Sequence, residues 1–251
     1  MSFSASGSLA RTGAGAGRRS LETMESNMQQ AISRTALLLA AAVLCSTAGA
    51  ADRNRNVGEP GQFDYYALAL SWSPSYCATN GGRDPNQCGS GRRLGFVLHG
   101  LWPQYENGYP QSCSREPLPP QVRRKYEAIY PSPKLIGHEW TKHGTCSGLA
   151  PEQYLALSAK LKDAVVVPAA YRAPEQPVRV TVAGFKDAFR AANPRLASDA
   201  IVPFCGGSGR FLREIRVCYR PDGASRSCGQ AEIKRSQKSC GQPSFLLQSV
   251  R

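Results

Sequence analysis

The sequence predicts a single α+β domain held by disulfides, and three observations carry that expectation. Strand-like and helix-like patterns are mixed along the chain without a regular β-α alternation. Roughly 200 residues follow a segment with the form of a removable export signal, enough for one domain with a substantial core. Of nine cysteines, eight lie after that segment, an even set that in an exported chain reads as four bridges.

The first fifty residues do not read as folded. Residues 1–35 are rich in Ser, Gly, Ala and Arg; then come Arg34, an apolar run over 36–44, and Ala48-x-Ala50. Basic residue, short apolar core and small-residue site, in that order, make a secretory signal cleaved after Ala50. Met24 or Met28 can serve as its start. The run is shorter than the ~20 apolar residues that span a bilayer, so the mature form has no membrane anchor and is expected in the periplasm or outside the cell. A lipoprotein reading at Cys45 is opposed by bulky Leu44. The full chain carries 31 basic and 18 acidic residues; the first fifty hold four and two, which leaves 27 minus 16, or +11. A basic surface speeds encounter with a polyanion, although exported proteins are often basic for no specific reason.

Residues 51–62 are polar with Gly58, Pro60 and Gly61 and read as a flexible lead-in; the domain is 63–251. In 63–72 both alternating sets are apolar, so this is a strand covered on both faces, ended by Pro74. Residues 75–93 read as a loop, with Cys77 and Cys88 placed for a local bridge. Residues 94–98 form a second strand that delivers His99 at its end. Residues 103–118 are loop. Val122, Tyr126 and Ile129 predict a short helix from Pro120, stopped by Pro131 and Pro133. Residues 138–143 read as helix. Another begins near Pro151 with Tyr154, Leu157, Leu161 and Val165 on one face. Pro168, Pro174 and Pro177 mark a linker-like loop. Residues 182–192 are helical, closed by Asn193-Pro194. Residues 201–205 and 211–219 are strands, the latter with Phe211, Arg213, Ile215 and Val217 on one face. The tail shows only Cys228 and Cys240.

All three histidines fall in two dense motifs, His99-Gly100-Leu101-Trp102-Pro103-Gln104 and His138-Glu139-Trp140-Thr141-Lys142-His143-Gly144-Thr145-Cys146. At about 100° per residue, His138, Lys142, Glu139 and His143 fall within an arc of about 140°, and Trp140 points away into the core. A zinc-protease helix needs two histidines at i, i+4; here they are i, i+5 and diverge by about 140°. The cysteines contain no CxxC pair, so no metal site is expected. Phosphate chemistry fits better. One imidazole can take a proton while another gives one, and Lys142 can stabilise charge spreading over a phosphoryl group. RNA supplies its own nucleophile, the 2′-OH; DNA lacks it and should not be cleaved.

These two segments resemble the active-site segments of the ribonuclease T2 family, and residues 66–77 resemble its opening strand, especially in bacterial periplasmic, ribonuclease I-like members. The resemblance implies a central antiparallel sheet flanked by helices and a monomeric endoribonuclease without cofactor. Its reaction would be transphosphorylation of single-stranded RNA to 2′,3′-cyclic phosphate ends, then slower hydrolysis to 3′-phosphates. It implies His143 as base for the 2′-OH, His99 as acid for the leaving oxygen, and His138 as phosphate binder. Glu139 and Lys142 would polarise the phosphate. Trp102 would lie against the base whose ribose attacks, with Tyr105 and Tyr109 as further candidates. Gln104 stands where some fungal members carry an acid, so little base selectivity is expected. Spacing alone permits 105 cysteine pairings; the resemblance favours Cys77–Cys88, Cys113–Cys146, Cys205–Cys240 and Cys218–Cys228.

Plainer readings stand beside these. Trp102 could pack beneath the site, Glu139 could form a helix pair with His143 or Lys142, and the runs 123–125 and 234–235 could be solvated faces. A non-catalytic RNA-binding or inhibitory protein on the same fold is the alternative function.

Overall fold

A computed structural model of the protein describes residues 57–250; the expected signal segment, Cys45 and residues 51–56 lie outside the described residues. Strand β1 (Tyr65–Trp72) is buried along nearly its whole length, as two apolar faces require. It pairs antiparallel with β2 (Phe96–Gln104) on one side and β5 (Phe211–Tyr219) on the other. With β3 (Val178–Thr181) and β6 (Ser244–Leu247), among the described residues the sheet has six strands in the order β2-β1-β5-β6-β3, and β4 (Ile201–Gly206) also pairs with β5. Its pairings are antiparallel except where β5 meets β6 at Phe211 and Leu246.

The two faces of β1 enter different environments. Tyr66, Leu68, Leu70 and Trp72 join the main core with Trp140, Tyr154, Phe185, Phe189 and Phe245. Tyr65 and Ala67 meet Val202, Cys218 and Cys228 in a smaller cluster, with Ile233 packed against it. On this second face β1 offers only small side chains toward its end, Ala67, Ala69 and Ser71. Their partners across the ladders are Trp102 and Cys218, Gly100 and Arg216, and Glu214. That low floor is where the site is built.

Several expectations are corrected. β2 does not stop at residue 98; it runs to Gln104, so His99 lies inside a strand and not at its end. β2 is an edge strand, and an edge tolerates Pro103 because half its N–H groups have no strand partner. Between Ala69 and Leu70 the register jumps: Ala69 faces Gly100 and Leu70 faces Leu98. His99 is therefore the extra residue of a β-bulge, a device that re-aims one side chain. A second bulge, between Phe204 and Cys205, makes Arg213 the extra residue of β5. It breaks the expected alternation: Leu212, Ile215 and Val217 are buried, and Arg213 is exposed.

The segment read as loop over 75–93 holds helices α1 (Ser73–Asn80) and α2 (Pro85–Cys88). Each has a proline in its first turn, where the missing N–H costs nothing, and Asp84 caps α2 through Gln87 N. Helix α3 (Pro120–Tyr126) is as expected. Helix α4 begins at Pro133 and ends at Lys142, so the proline read as a stop is a start. Helix α5 is Pro151–Ala164. The linker-like loop contains α6 (Ala169–Arg172) and leads into β3. Helix α7 (Val182–Ala192) is capped by Thr181. The tail contributes α8 (Gln230–Ser239) as well as β6. No helix among the described residues is long and apolar enough to cross a membrane. Of the stretch read as a flexible lead-in, residues 57–62 are fastened: Val57 bridges Gln111, and Gly61 N donates to Cys146 O at 3.0 Å.

The cysteines pair as Cys77–Cys88, Cys113–Cys146, Cys205–Cys240 and Cys218–Cys228, the set the family resemblance implied. Cys113–Cys146 ties the segment after β2 to the turn after α4, across a separation of 33 residues. Closing a loop of that size restricts the unfolded chain by about 3–4 kcal/mol. The double variant Cys113→Ala, Cys146→Ala should melt roughly 10 °C lower by circular dichroism. An unchanged midpoint would show that the bridge adds nothing to stability.

Candidate active site

The elements that converge are β2, β5 and the C-terminal end of α4. His99, Trp102, Gln104 and Tyr109 line a cleft of about 350 Å³ with His138, Glu139, Lys142, His143, Phe204, Arg216 and Arg235. The two histidine motifs are thus brought together. His99 and His138 also line an adjoining cleft of about 410 Å³ with Ser71, Tyr76, Arg83 and Leu135. The histidine pair is the boundary between two hollows.

Helix α4 supplies its charged arc as the wheel requires. Trp140 is turned away into the core and donates Nε1–H to Glu116 O at 2.8 Å. His143 is the residue after the helix, with φ −118°, and a 3-10 turn (Gly144–Cys146) follows. Its ring is 5 % exposed, and Nδ1 is buried with no hydrogen-bond partner. Burial, with Lys142, His138, His99 and Arg216 nearby, holds its pKa down to about 3. His143 is a neutral base at any ordinary pH. His138 is shifted the same way, more mildly, by burial, Lys142 and His99.

His99 is shifted the opposite way. Its side chain is 38 % exposed, and Nδ1 lies 2.7 Å from Glu214 Oε2. Burial works against its charged form, but the Glu214 hydrogen bond and the charges of Glu214 and Glu139 outweigh that and raise its pKa. Burial alone would also raise Glu214; the bond to His99 and the charge of Arg216 hold it at about 2 instead.

Glu139 makes no helix-surface pair. Its Oε2 accepts Trp102 Nε1–H at 2.7 Å, and its Oε1 lies 4.0 Å from His99 Nε2. Burial raises its pKa to about 7 against the pull of His99, Trp102 and Lys142. Trp102 lies beneath the site, only 9 % exposed. Arg216 sits 4.8 Å from its ring, and the His143 and His99 rings are at 5.2 and 4.9 Å. Its faces are occupied by protein, so it serves as a platform for these groups. Tyr109, half-buried and 6.4 Å from His143, lines the cleft. Gln104 is buried and donates to Pro103 O at 2.9 Å. Tyr105 is absent from the lining; its hydroxyl lies against Gly58. Among the described residues no three His, Cys, Asp or Glu side chains are grouped to hold a metal ion.

Sequence reasoning did not single out Glu214, Arg216 or Phe204, and met Arg235 only as part of the basic run 234–235. The available signal was Glu214 and Arg216, opposite charges two residues apart in a strand whose other residues, apart from Arg213, are apolar or aromatic. Of the basic runs, Lys125 pairs with Glu152, while Arg235 pairs with the fully buried Glu232 at the cleft.

A family model described as the Ribonuclease T2 family matches residues 63–228. A ribonuclease of Aeromonas hydrophila is 42 % identical over 214 residues, 77 % of this chain and 89 % of that one. Ribonuclease I of Escherichia coli K12 is 25 % identical over 210 residues, 64 % of this chain and 77 % of that one. Among solved structures, trichomaglin, an S-like ribonuclease, superposes with TM-score 0.59 at 20 % identity, covering 76 % of this chain and 100 % of that one. A variant of RNase MC1 in complex with 5′-UMP gives 0.55 at 21 % identity, covering 65 % and 91 %. At these identities the two structures speak to the fold.

Proposed function

This chain belongs to the ribonuclease T2 family and is a ribonuclease, and from that premise we propose that it cleaves single-stranded RNA by metal-independent transphosphorylation. The observation that carries the reading is two histidines in one cleft with opposite surroundings: His143 buried with Nδ1 unpartnered and its pKa held down to about 3, and His99 bonded through Nδ1 to Glu214, which raises its pKa. His143 takes the proton of a ribose 2′-OH, and the oxygen attacks the adjacent phosphorus. His99 gives the Nε2 proton to the departing 5′-oxygen. The products are a 2′,3′-cyclic phosphate and a free 5′-hydroxyl. Water then enters along the leaving group's path with the proton roles reversed, giving a 3′-phosphate. Lys142 faces the phosphoryl oxygens, where fixed positive charge lowers the barrier most, and His138 offers them a ring N–H. Glu139, near half protonation, serves as a further hydrogen-bonding partner for them.

The two hollows take the two nucleotides. The one bearing His143 and Tyr109 holds the attacking ribose and its base, and the one bearing Tyr76 and Leu135 holds the leaving nucleoside. The Gln104 amide is engaged with its own backbone neighbour, so it offers little reading of a base edge, and base selectivity is low. The chain acts as an exported monomer, in the periplasm or outside the cell, with no membrane anchor in its mature form.

The test is a defined RNA digested in excess EDTA, alongside the same strand with one 2′-deoxynucleotide. The expected products end in 2′,3′-cyclic phosphates, and the bond after the deoxynucleotide stays intact. Loss of cleavage in EDTA, or cutting at the deoxy position, would sink the mechanism.

A further inference from the structure

His99 meets the cleft with Nε2 and turns Nδ1 back to β5. There Glu214, 5 % exposed, places Oε2 2.7 Å from Nδ1. Ser71, opposite Glu214 in the ladder, lies 3.3 Å from the same nitrogen and donates to the same oxygen at 3.4 Å. The other oxygen accepts Arg216 Nε–H at 2.9 Å. Arg216 also donates from Nη1 to Glu232 at 2.6 Å, and its guanidinium lies between Phe204 at 4.1 Å and Trp102 at 4.8 Å. A buried carboxylate left alone is strongly disfavoured; here both oxygens are engaged, so it persists as an anion.

We propose that Glu214 is a positioning residue for the reaction: clamped by Arg216 and Ser71, it accepts Nδ1–H of His99, aims Nε2–H at the leaving oxygen, and keeps the ring in its proton-donating form. The proposal rests on the reading of His99 as the acid. Other groups do not substitute for it. Arg216 on β5 opposes a charge on His99, and Lys142, His138 and His143 at the end of α4 bring no negative charge to it. Glu139, 4.0 Å from Nε2, is itself held at about 7, so near neutrality it is only partly ionised. Glu214 is ionised throughout the working range.

The sign follows directly. His99 must be protonated to give its proton, so activity is present below its raised pKa and lost as pH climbs through it. Removing the Glu214 charge moves that limb to lower pH. The experiment uses the disulfide-intact enzyme and its Glu214→Gln and Glu214→Asp variants, reading kcat and KM against pH on a defined RNA. It also follows ring-proton NMR titration of the histidines, of which the sequence holds only three. Glu214→Gln should lower kcat about tenfold to a hundredfold at neutral pH, leave KM within about threefold, and move both limb and His99 resonance acidward. Glu214→Asp, which keeps the charge, should return the limb toward its original place. A fall in kcat with limb and resonance unmoved would overturn the proposal. A resonance that moves while the limb does not would instead overturn His99 as the acid, and with it the catalytic half of the proposal, though the pairing would stand. Should Glu214→Gln not fold, the parent enzyme decides alone: His99 titrating below a free imidazole would overturn the proposal, and above it would support it.

Discussion

His143→Phe lowers kcat by about a thousandfold or more while the folded state stays as stable as before. The two halves of this result have one cause. The imidazole is buried with Nδ1 unpartnered and is pressed into its neutral form by burial, Lys142, Arg216 and the other two histidines. That makes it a good proton acceptor and a poor occupant of its position. An unpaired buried polar atom costs about 1–3 kcal/mol, and phenylalanine keeps the ring contact with Trp102 while removing that atom. Urea unfolding should therefore show an equal or higher midpoint, and the initial rate on a defined RNA should collapse. A variant that unfolds early would mean the ring is held for structure; a variant that cleaves normally would remove His143 from the chemistry.

Gly100→Ala is the second large effect. A Cβ there would stand 1.9 Å from Glu139 Oε2 and 2.4 Å from Trp102 Nε1. Neither neighbour has room to give. Glu139 is 1 % exposed, and Trp102 is pinned by Arg216 above its ring. One methyl group must separate the carboxylate from the indole and push both toward the histidines. Overpacking of this kind costs about 1–3 kcal/mol, and a displacement near 1 Å at reacting groups costs about a hundredfold in rate. Stability and kcat should fall together, measured by thermal unfolding and initial rates. Full activity with normal stability would show that the strand shifts to make space.

The clustering of the two histidine motifs was legible because chemistry limits the choice of residue. Three histidines in two motifs left few arrangements to consider, and 3.6-residue periodicity placed His138, Glu139, Lys142 and Trp140 correctly. Helix 182–192 was legible for the same reason, since its apolar period is clean. What could not be read was where a ladder changes step. Pro103 and Gly100 look like strand breakers until β2 is known to be an edge, and that is a property of the sheet. Arg213 looks like a member of the face that carries Phe211, Ile215 and Val217 until the bulge at Phe204 and Cys205 shifts it. Glu214 was overlooked because its partner, His99, is 115 residues away in the chain. Helix α8, polar along much of its length, buries Glu232 and Ser236 rather than an apolar stripe. The family resemblance placed Trp102 against the base, with packing beneath the site as the plainer reading; the rings and guanidinium around it are visible only in three dimensions.

The register of β2 has one more implication. Leu98 faces Leu70 and Gly100 faces Ala69, so the ladder on either side of His99 would close without it. Counted in backbone pairings, the histidine is surplus: the sheet would be more regular one residue shorter. Strand length and reaction chemistry are thereby written into separate positions of the same nine residues. A one-residue deletion there would erase the histidine we propose as the acid and leave a tidier sheet, so on that proposal a shortened relative could keep this architecture with no capacity to cut RNA.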